Sequence, residues 1–177
     1  MRKTVSVLLV ILLSLLSFSR NRIWQSDGTI WADTIAQNPE NARAYNELGL
    51  YLASTGDYEE ALRIMNISLA LNPYQPTVYV NIGFLLERAN LPDQAEETYH
   101  RAIRYYPQNA TAYYNLGILY YSRFQDRDRA LRSLLTARDL DPLEADVHHY
   151  LSRIYLEKGD RSRAEEENRL YHSLKHR

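Results

Sequence analysis

One pattern of residue types returns along most of this chain at intervals of about 34 residues. The first copy is marked by Tyr45, Leu48, Gly49, Leu52, Gly56, Ala61, Met65 and Pro73. The second is marked by Tyr79, Ile82, Gly83, Leu86, Asn90, Ala95, Tyr99 and Pro107. The third, which has one extra residue in its middle, carries Tyr113, Leu116, Gly117, Tyr120, Ala130, Leu134, Ala137 and Pro142, and the fourth carries His148, Leu151, Ser152, Tyr155, Gly159 and Ala164. A fixed period of this length predicts a solenoid of stacked supersecondary units.

Each copy contains two apolar stripes at helical spacing, separated by a short breaker. In the first copy the stripes are Tyr45, Leu48, Gly49, Leu52 and then Ala61, Met65, Ser68. Residues spaced three or four apart share one face of a helix. The segment Thr55-Gly56-Asp57 supplies a helix stop followed by an N-cap, and Pro73 ends the second helix. The spacing therefore predicts one antiparallel helical hairpin per copy.

A glycine recurs inside the first helix of three copies, at Gly49, Gly83 and Gly117. Glycine within a helix costs about 1 kcal/mol relative to alanine. Its repeated presence indicates that a partner helix packs close to the backbone at this point.

The pattern closely resembles the tetratricopeptide repeat, over about 136 of the 177 residues. The resemblance implies an all-α, right-handed superhelical solenoid of antiparallel hairpins. The four repeats are expected at residues 42–75, 76–109, 110–144 and 145–177. The family is an interaction scaffold that serves many pathways, so the resemblance is specific for the fold and not for the partner.

Residues 1–22 form a second informative segment. Residues 5–18 are apolar except for three serines, with basic residues on both sides. At 1.5 Å per residue a run of about 14 residues spans roughly 21 Å, which is shorter than the ~30 Å hydrocarbon core of a bilayer. We therefore expect a short uncleaved membrane anchor, with a signal segment cleaved after Ser19 as one alternative and a buried helix as another. Basic residues on both sides of the run leave both orientations of an anchor open; we expect the commoner one, with the repeats on the extracytoplasmic side, and cleavage gives a secreted protein.

Residues 23–41 are predicted to be a linker that contains one helix. Counted back from Pro39, Trp31 and Thr34 correspond to Met65 and Ser68, so Asp27 to Gln37 resembles the second helix of a repeat. The residues from Arg20 to Arg43 are also similar to the junction that follows the last membrane helix in multi-spanning, glycosyltransferase-like proteins ending in these repeats. The chain lacks the catalytic membrane domain of those proteins, so this similarity implies topology and not activity. Trp24 and Trp31 are candidates for the membrane interface, with a role for Trp31 in capping the first hairpin as the alternative.

The composition argues against several other functions. The formal charge is −1 with both signs interleaved, so nucleic acid is not expected as a partner. The chain has no cysteine, phosphate-binding loop or nucleophile with a recognisable base, so neither an enzyme, a small-molecule substrate nor a cofactor is predicted. His172 and His176 lie four apart, but spacing fixes no third metal ligand. His148 stands where other copies have tyrosine, which predicts a core position.

The predicted binding surface is the helix face left over after packing. In the family, the second, fifth, ninth and twelfth positions of each first helix line a concave groove. The residues predicted to bind protein in that groove are Asn46, Leu50, Val80, Phe84, Glu87, Tyr114, Ile118, Tyr121, His149 and Arg153. Apolar and aromatic residues in its middle have no folding reason to face solvent, so we expect them to contact a protein or peptide segment. A second copy of the chain or the N-terminal segment are the alternative occupants. Asn46 and Leu50 replace the Lys and Asn pair with which co-chaperone members grip a C-terminal carboxylate.

Two function classes follow. The first is a membrane-tethered scaffold that binds a segment of another protein through its groove. The second is an accessory subunit of a membrane glycosyltransferase or of a cell-envelope polysaccharide or secretion assembly.

The last helix, with Asn168 at the position of Met65 and acids at 165–167, is expected to be a solvated cap.

Overall fold

A computed structural model describes residues 27–176, and every regular element in that range is an α-helix. The predicted anchor or signal segment and residues 23–26 lie outside this range. Between residues 27 and 176, no helix has both the length and the apolar character needed to cross a membrane. The described residues divide into two compact units, residues 27–73 (unit 1) and 74–176 (unit 2).

Unit 1 contains α1 (Asp27–Gln37), α2 (Ala42–Thr55) and α3 (Tyr58–Leu71) within its described residues. Helix α2 packs against both α1 and α3. The turn from α2 to α3 follows the sequence signals: Gly56 has φ +90°, and the Asp57 side chain accepts a hydrogen bond from the backbone N–H of Glu60. The sequence prediction of a helix over Asp27 to Gln37 is confirmed.

Unit 2 forms three hairpins over residues 74–176. The helices are α4 (Pro76–Arg88), α5 (Pro92–Tyr105), α6 (Ala110–Ser122), α7 (Arg127–Leu140), α8 (Ala145–Glu157) and α9 (Arg161–Lys175). Helices pair as α4 with α5, α6 with α7 and α8 with α9, and consecutive hairpins contact each other through α5–α6, α7–α8 and α4–α6. The predicted all-α hairpin architecture is therefore confirmed.

The recurring glycine allows the two helices of a hairpin to come close. A Cβ atom on Gly83 would lie 2.4 Å from Cε1 of Tyr99, and one on Gly117 would lie 2.6 Å from Cγ of Leu134. In unit 1 the same atom on Gly49 would lie 2.5 Å from Cγ of Met65. The close approach predicted from the sequence is thus confirmed in three hairpins.

The last helix buries less apolar surface than the other second helices. Met65, Tyr99 and Leu134 are completely buried, whereas Asn168 at the equivalent position is exposed. The expectation of a solvated helix was wrong for Glu167, which is only 5% exposed. Its carboxylate is buried because it pairs with His148 of α8 and Arg138 of α7.

Candidate functional site

The predicted binding residues of unit 2 lie on α4, α6 and α8, and their exposure varies widely. Phe84 is 53% exposed, and Arg153 is also exposed. Glu87, Tyr114, Ile118 and His149 are partly buried, whereas Val80 and Tyr121 are buried. We call the accessible members the groove face: Phe84, Glu87, Tyr114, Ile118, His149 and Arg153. Phe84 is its most exposed apolar residue.

Tyr121 corrects one expectation, because this ring is not solvent-facing. Its hydroxyl donates a hydrogen bond to a carboxylate oxygen of Glu157 on α8. The guanidinium carbon of Arg127 lies 4.2 Å from the centre of the ring, and the Tyr150 ring centre lies 5.8 Å away. Burial and the bond to Glu157 raise the pKa of Tyr121. Tyr121 therefore has a folding reason to be aromatic, which is to join two successive hairpins.

Val80 and Asn46 are also less accessible than predicted. Val80 is buried on α4, which packs against both α5 and α6. Asn46 is buried on α2, which packs against α1 and α3 in unit 1. Leu50, in the same helix, is exposed as expected. The fifth position of these first helices thus belongs partly to the packing between helices.

Glu87 joins the groove face to the core of its hairpin. The hydroxyl of Tyr99 donates a hydrogen bond of 2.6 Å to its carboxylate. Burial raises the pKa of Glu87, while the bond from Tyr99 and the charge of Arg123 oppose this rise. The Glu87 side chain is consequently held in place before any partner binds.

An aromatic cluster extends the face across α6 and α8. The rings of Tyr114 and Tyr150 have centres 6.3 Å apart, and His149 contacts the rings of Tyr150 and Tyr171. Burial, followed by the nearby charge of Asp146, raises the pKa of Tyr114. Tyr150 was not predicted, because it stands outside the four positions of the family pattern. Its contacts depend on how α6 and α8 pack against each other, and the spacing of residues along the chain does not reveal that packing.

A buried polar cluster is formed by side chains of α7, α8 and α9. His148 is 2% exposed, which confirms its predicted core position. Its Nδ1 lies 2.6 Å from Glu167, and its Nε2 lies 3.1 Å from the carbonyl oxygen of Pro142. Arg138 donates a hydrogen bond to the other oxygen of Glu167. A sequence signal for Glu167 exists, since it follows Ala164 by three residues, as buried Ile64 follows Ala61.

The fold and the repeated marks agree with a comparison against protein families. The family described as Tetratricopeptide repeat matches residues 29–76, 82–123 and 119–172, which is more than half of the chain. The protein therefore belongs to the tetratricopeptide repeat family, whose members are scaffolds for protein–protein interaction. No curated protein sequence matches the chain significantly.

Several solved structures share this fold. MamA 41-end from Desulfovibrio magneticus RS-1 superimposes with a TM-score of 0.71 at 23% identity, over 95% of this chain and 94% of that one. PilF of Pseudomonas aeruginosa gives a TM-score of 0.78 at 17% identity, over 93% and 74% of the two chains. YrrB, described as a TPR protein with an unusual peptide-binding site, gives 0.64 at 20% identity, over 91% and 81%. At these identities the likeness shows the fold alone.

Proposed function

We propose that this protein is a membrane-tethered scaffold that binds a segment of another protein on the groove face of unit 2. The observation that carries the proposal is the exposure of Phe84 in the middle of a helix. Its neighbours Ile82, Leu85 and Leu86 are buried and supply the packing of α4, so Phe84 is not needed for the core. The peptide-binding site named in the description of YrrB adds an analogy from the same fold.

The chemistry of the groove face suits an amphipathic protein segment. Phe84 and Ile118 occupy the same position in neighbouring first helices, and Arg153 follows at that position in α8. The guanidinium carbon of Arg153 lies 5.3 Å from the centre of the Tyr121 ring. Arg153 is exposed to solvent, so its positive charge is accessible beside the aromatic cluster. Burying one aromatic side chain against a partner contributes about 1.5–3 kcal/mol.

Changing Phe84 to serine is expected to weaken partner binding at least tenfold, since about 1.4 kcal/mol corresponds to a factor of ten. Helicity and thermal melting should change little, because Phe84 lies outside the packed side of α4. The partner is first isolated by affinity purification from detergent-solubilised membranes, and its affinity is then measured by titration calorimetry.

Tyr106→Ser is the matched control for this variant. Tyr106 is 51% exposed, similar to Phe84, but it lies at the end of α5 outside the groove face. Equal losses for both variants would mean that exposed aromatic residues bind without regard to position. Normal binding by Phe84→Ser would show that the partner uses another surface.

The membrane tether is the second part of the proposal, and the apolar sequence of residues 5–18 supports it. Full-length protein is expected to stay in the membrane fraction after carbonate or high-salt extraction. A variant in which three leucines of this run, Leu8, Leu12 and Leu15, are changed to serine should be released. Recovery of a soluble wild-type protein that begins near Arg20 would instead identify a cleaved signal.

An accessory role beside a membrane glycosyltransferase is the second candidate function. This candidate rests on the resemblance, noted in the sequence alone, of residues 20–43 to the junction in glycosyltransferase-like proteins with these repeats. A multi-spanning transferase in the purified complex would support this role, whereas a partner without membrane helices would favour the more general scaffold.

A further inference from the structure

The buried pair of His148 and Glu167 occurs in the fourth repeat only. His148 stands at a position that the other three repeats fill with tyrosine: Tyr45, Tyr79 and Tyr113. Glu167 stands at a position that they fill with uncharged residues: Ile64, Thr98 and Ser133. The helices of those three hairpins pack against each other without this pair. The pair is therefore not a requirement of hairpin packing.

Both ring nitrogens of His148 face atoms that only accept hydrogen bonds. Nδ1 lies 2.6 Å from Oε2 of Glu167, and Nε2 lies 3.1 Å from the carbonyl oxygen of Pro142. An ionised carboxylate and a backbone carbonyl have no proton to donate. A neutral imidazole carries one N–H, so it would satisfy one of these oxygens and turn a lone pair towards the other. An imidazolium, with an N–H on each nitrogen, donates to both.

A second cation favours the proton on His148 over the proton on Glu167. Arg138 donates a hydrogen bond of 3.1 Å to the other carboxylate oxygen, Oε1. A proton on Glu167 would remove the negative charge that this guanidinium faces. With His148 protonated, the cluster holds two cations, His148 and Arg138, and two carboxylates, Glu167 and Asp139. With His148 neutral, it would hold an excess negative charge although Glu167 is almost completely buried.

The remaining charged groups around the ring leave this balance unchanged. The charged and titratable side chains that line the cavity beside His148 come from α7, α8 and α9: Arg138, Asp139, Tyr155, Arg163, Glu166 and Glu167. Arg163 pairs with Asp160 at 3.0 Å. Glu166, like Asp141 and Glu144 of the turn before α8, is exposed to solvent, where water and salt screen its charge.

The contact with Pro142 is the one that depends on the second proton. A hydrogen bond to a charged carboxylate is stronger than one to a neutral carbonyl, so a neutral ring keeps its proton on Nδ1, next to Glu167. Nε2 then turns its lone pair towards the carbonyl oxygen of Pro142. In that state His148 no longer holds the turn between α7 and α8.

The same turn borders the groove face. Asp141 and Glu144, on either side of Pro142, line a cavity of about 220 Å³ together with Tyr114, a member of that face. A movement of the turn therefore changes one wall of the space beside Tyr114.

We propose that His148 is a pH-sensitive clamp: as an imidazolium it joins Glu167 of α9 to the Pro142 turn, and loss of one proton in alkaline solution releases the turn beside the groove face. A free imidazole, with a pKa of about 6.5, gives up this proton near neutrality, whereas the folded chain retains it. Proton linkage then closes the clamp at acidic and neutral pH and opens it as the pH rises. Its effect on partner binding rests on the proposed function of the groove face, but its protonation does not.

The test is NMR of the full-length chain in detergent, labelled with nitrogen-15 in the histidine rings and with carbon-13. At pH 7.5 the His148 ring should show two protonated nitrogens, although a free imidazole is mostly neutral at that pH. The carbon-13 shift of the Pro142 carbonyl reports the hydrogen bond from Nε2 directly. As the pH is raised, this shift and the ring signals of Tyr114 should change in the same transition in which Nε2 loses its proton.

Two variants examine the clamp from its two sides. Glu167→Gln keeps the shape of the side chain and removes its charge, so His148 should bind its second proton at least tenfold more weakly. His148→Gln has no second proton to lose and should abolish the transition at Pro142. Either variant alone is sufficient if the other fails to fold.

His172→Gln is the matched control, since His172 is an exposed histidine of α9 whose ring packs beside Tyr171. It should leave the transition at Pro142 unchanged, as should Phe84→Ser. A single protonated ring nitrogen on wild-type His148 at pH 7.5, or an unaltered imidazolium in Glu167→Gln, would overturn the proposal. Signals of Pro142 or Tyr114 that do not follow the transition would also overturn it. A normal transition in a protein whose groove face binds no partner would support the clamp and refute only the proposed function.

Discussion

Changing Tyr99 to alanine is expected to lower the free energy of unfolding of unit 2 by about 3–5 kcal/mol, the range for removing a large aromatic side chain from a core. Tyr99 is completely buried, and its ring lies directly over Gly83. The substitution also removes the hydroxyl that donates to Glu87. Because whole domains are stable by only about 5–15 kcal/mol, this single change removes a large part of the total. Urea unfolding followed by circular dichroism measures it.

Tyr99→Phe separates the two contributions of this side chain. Phenylalanine keeps the ring in place and removes only the bond to the Glu87 carboxylate, so the expected loss is about 1.5–3 kcal/mol, the range for hydrogen bonds to charged groups. If Tyr99→Phe were as destabilising as Tyr99→Ala, the hydrogen bond would dominate and the packing argument would be wrong.

The second large effect is expected at Gly83, where alanine should destabilise the fold by about 1–3 kcal/mol. Alanine is normally the better helix former by about 1 kcal/mol, so the sign of the change is itself a test. A new Cβ would lie 2.4–2.8 Å from three atoms of the Tyr99 ring. The ring is rigid and fully enclosed, so it cannot move aside without opening the hairpin. Thermal and urea unfolding of the variant report the change.

Gly49→Ala provides the comparison in unit 1. The nearest atom there belongs to Met65, an unbranched side chain that changes rotamer more easily than a tyrosine ring. We therefore expect Gly49→Ala to be less destabilising than Gly83→Ala. Equal effects, or a stabilised Gly83→Ala, would mean that the close approach of α4 and α5 does not constrain the residue at this position.

The hairpins could be read from the sequence because their signals are local. The stripe that contains Tyr45 and Leu48 can be recognised from the 3.6-residue period of a helix alone. Gly56 can be recognised as a turn residue because glycine readily adopts the backbone conformation that a tight turn requires. Repetition then strengthens each signal, since the same residue type recurs at Gly49, Gly83 and Gly117. Helix positions, close glycine contacts and the core position of His148 were predictable for these reasons.

The surface was less predictable, because exposure depends on which side chains of a neighbouring hairpin reach a given position. Tyr121 and Phe84 both occupy predicted groove positions, yet only Tyr121 is covered, by groups of α7 and α8. Tyr150 and Glu157 are distant from Tyr121 in sequence, and the contact with Arg127 depends on the path of the turn between α6 and α7, so the residue pattern does not predict this coverage.

The sequence by itself determined the helical hairpins and their family, since these depend on residue type at a fixed period. Only the tertiary structure decided which polar groups satisfy each other. It pairs Glu167 with His148 and leaves Arg132, one repeat earlier, without a carboxylate among residues 27–176. The physical reason is that a charge is neutralised by whatever lies within a few ångströms in space, and spacing along the chain does not set that distance.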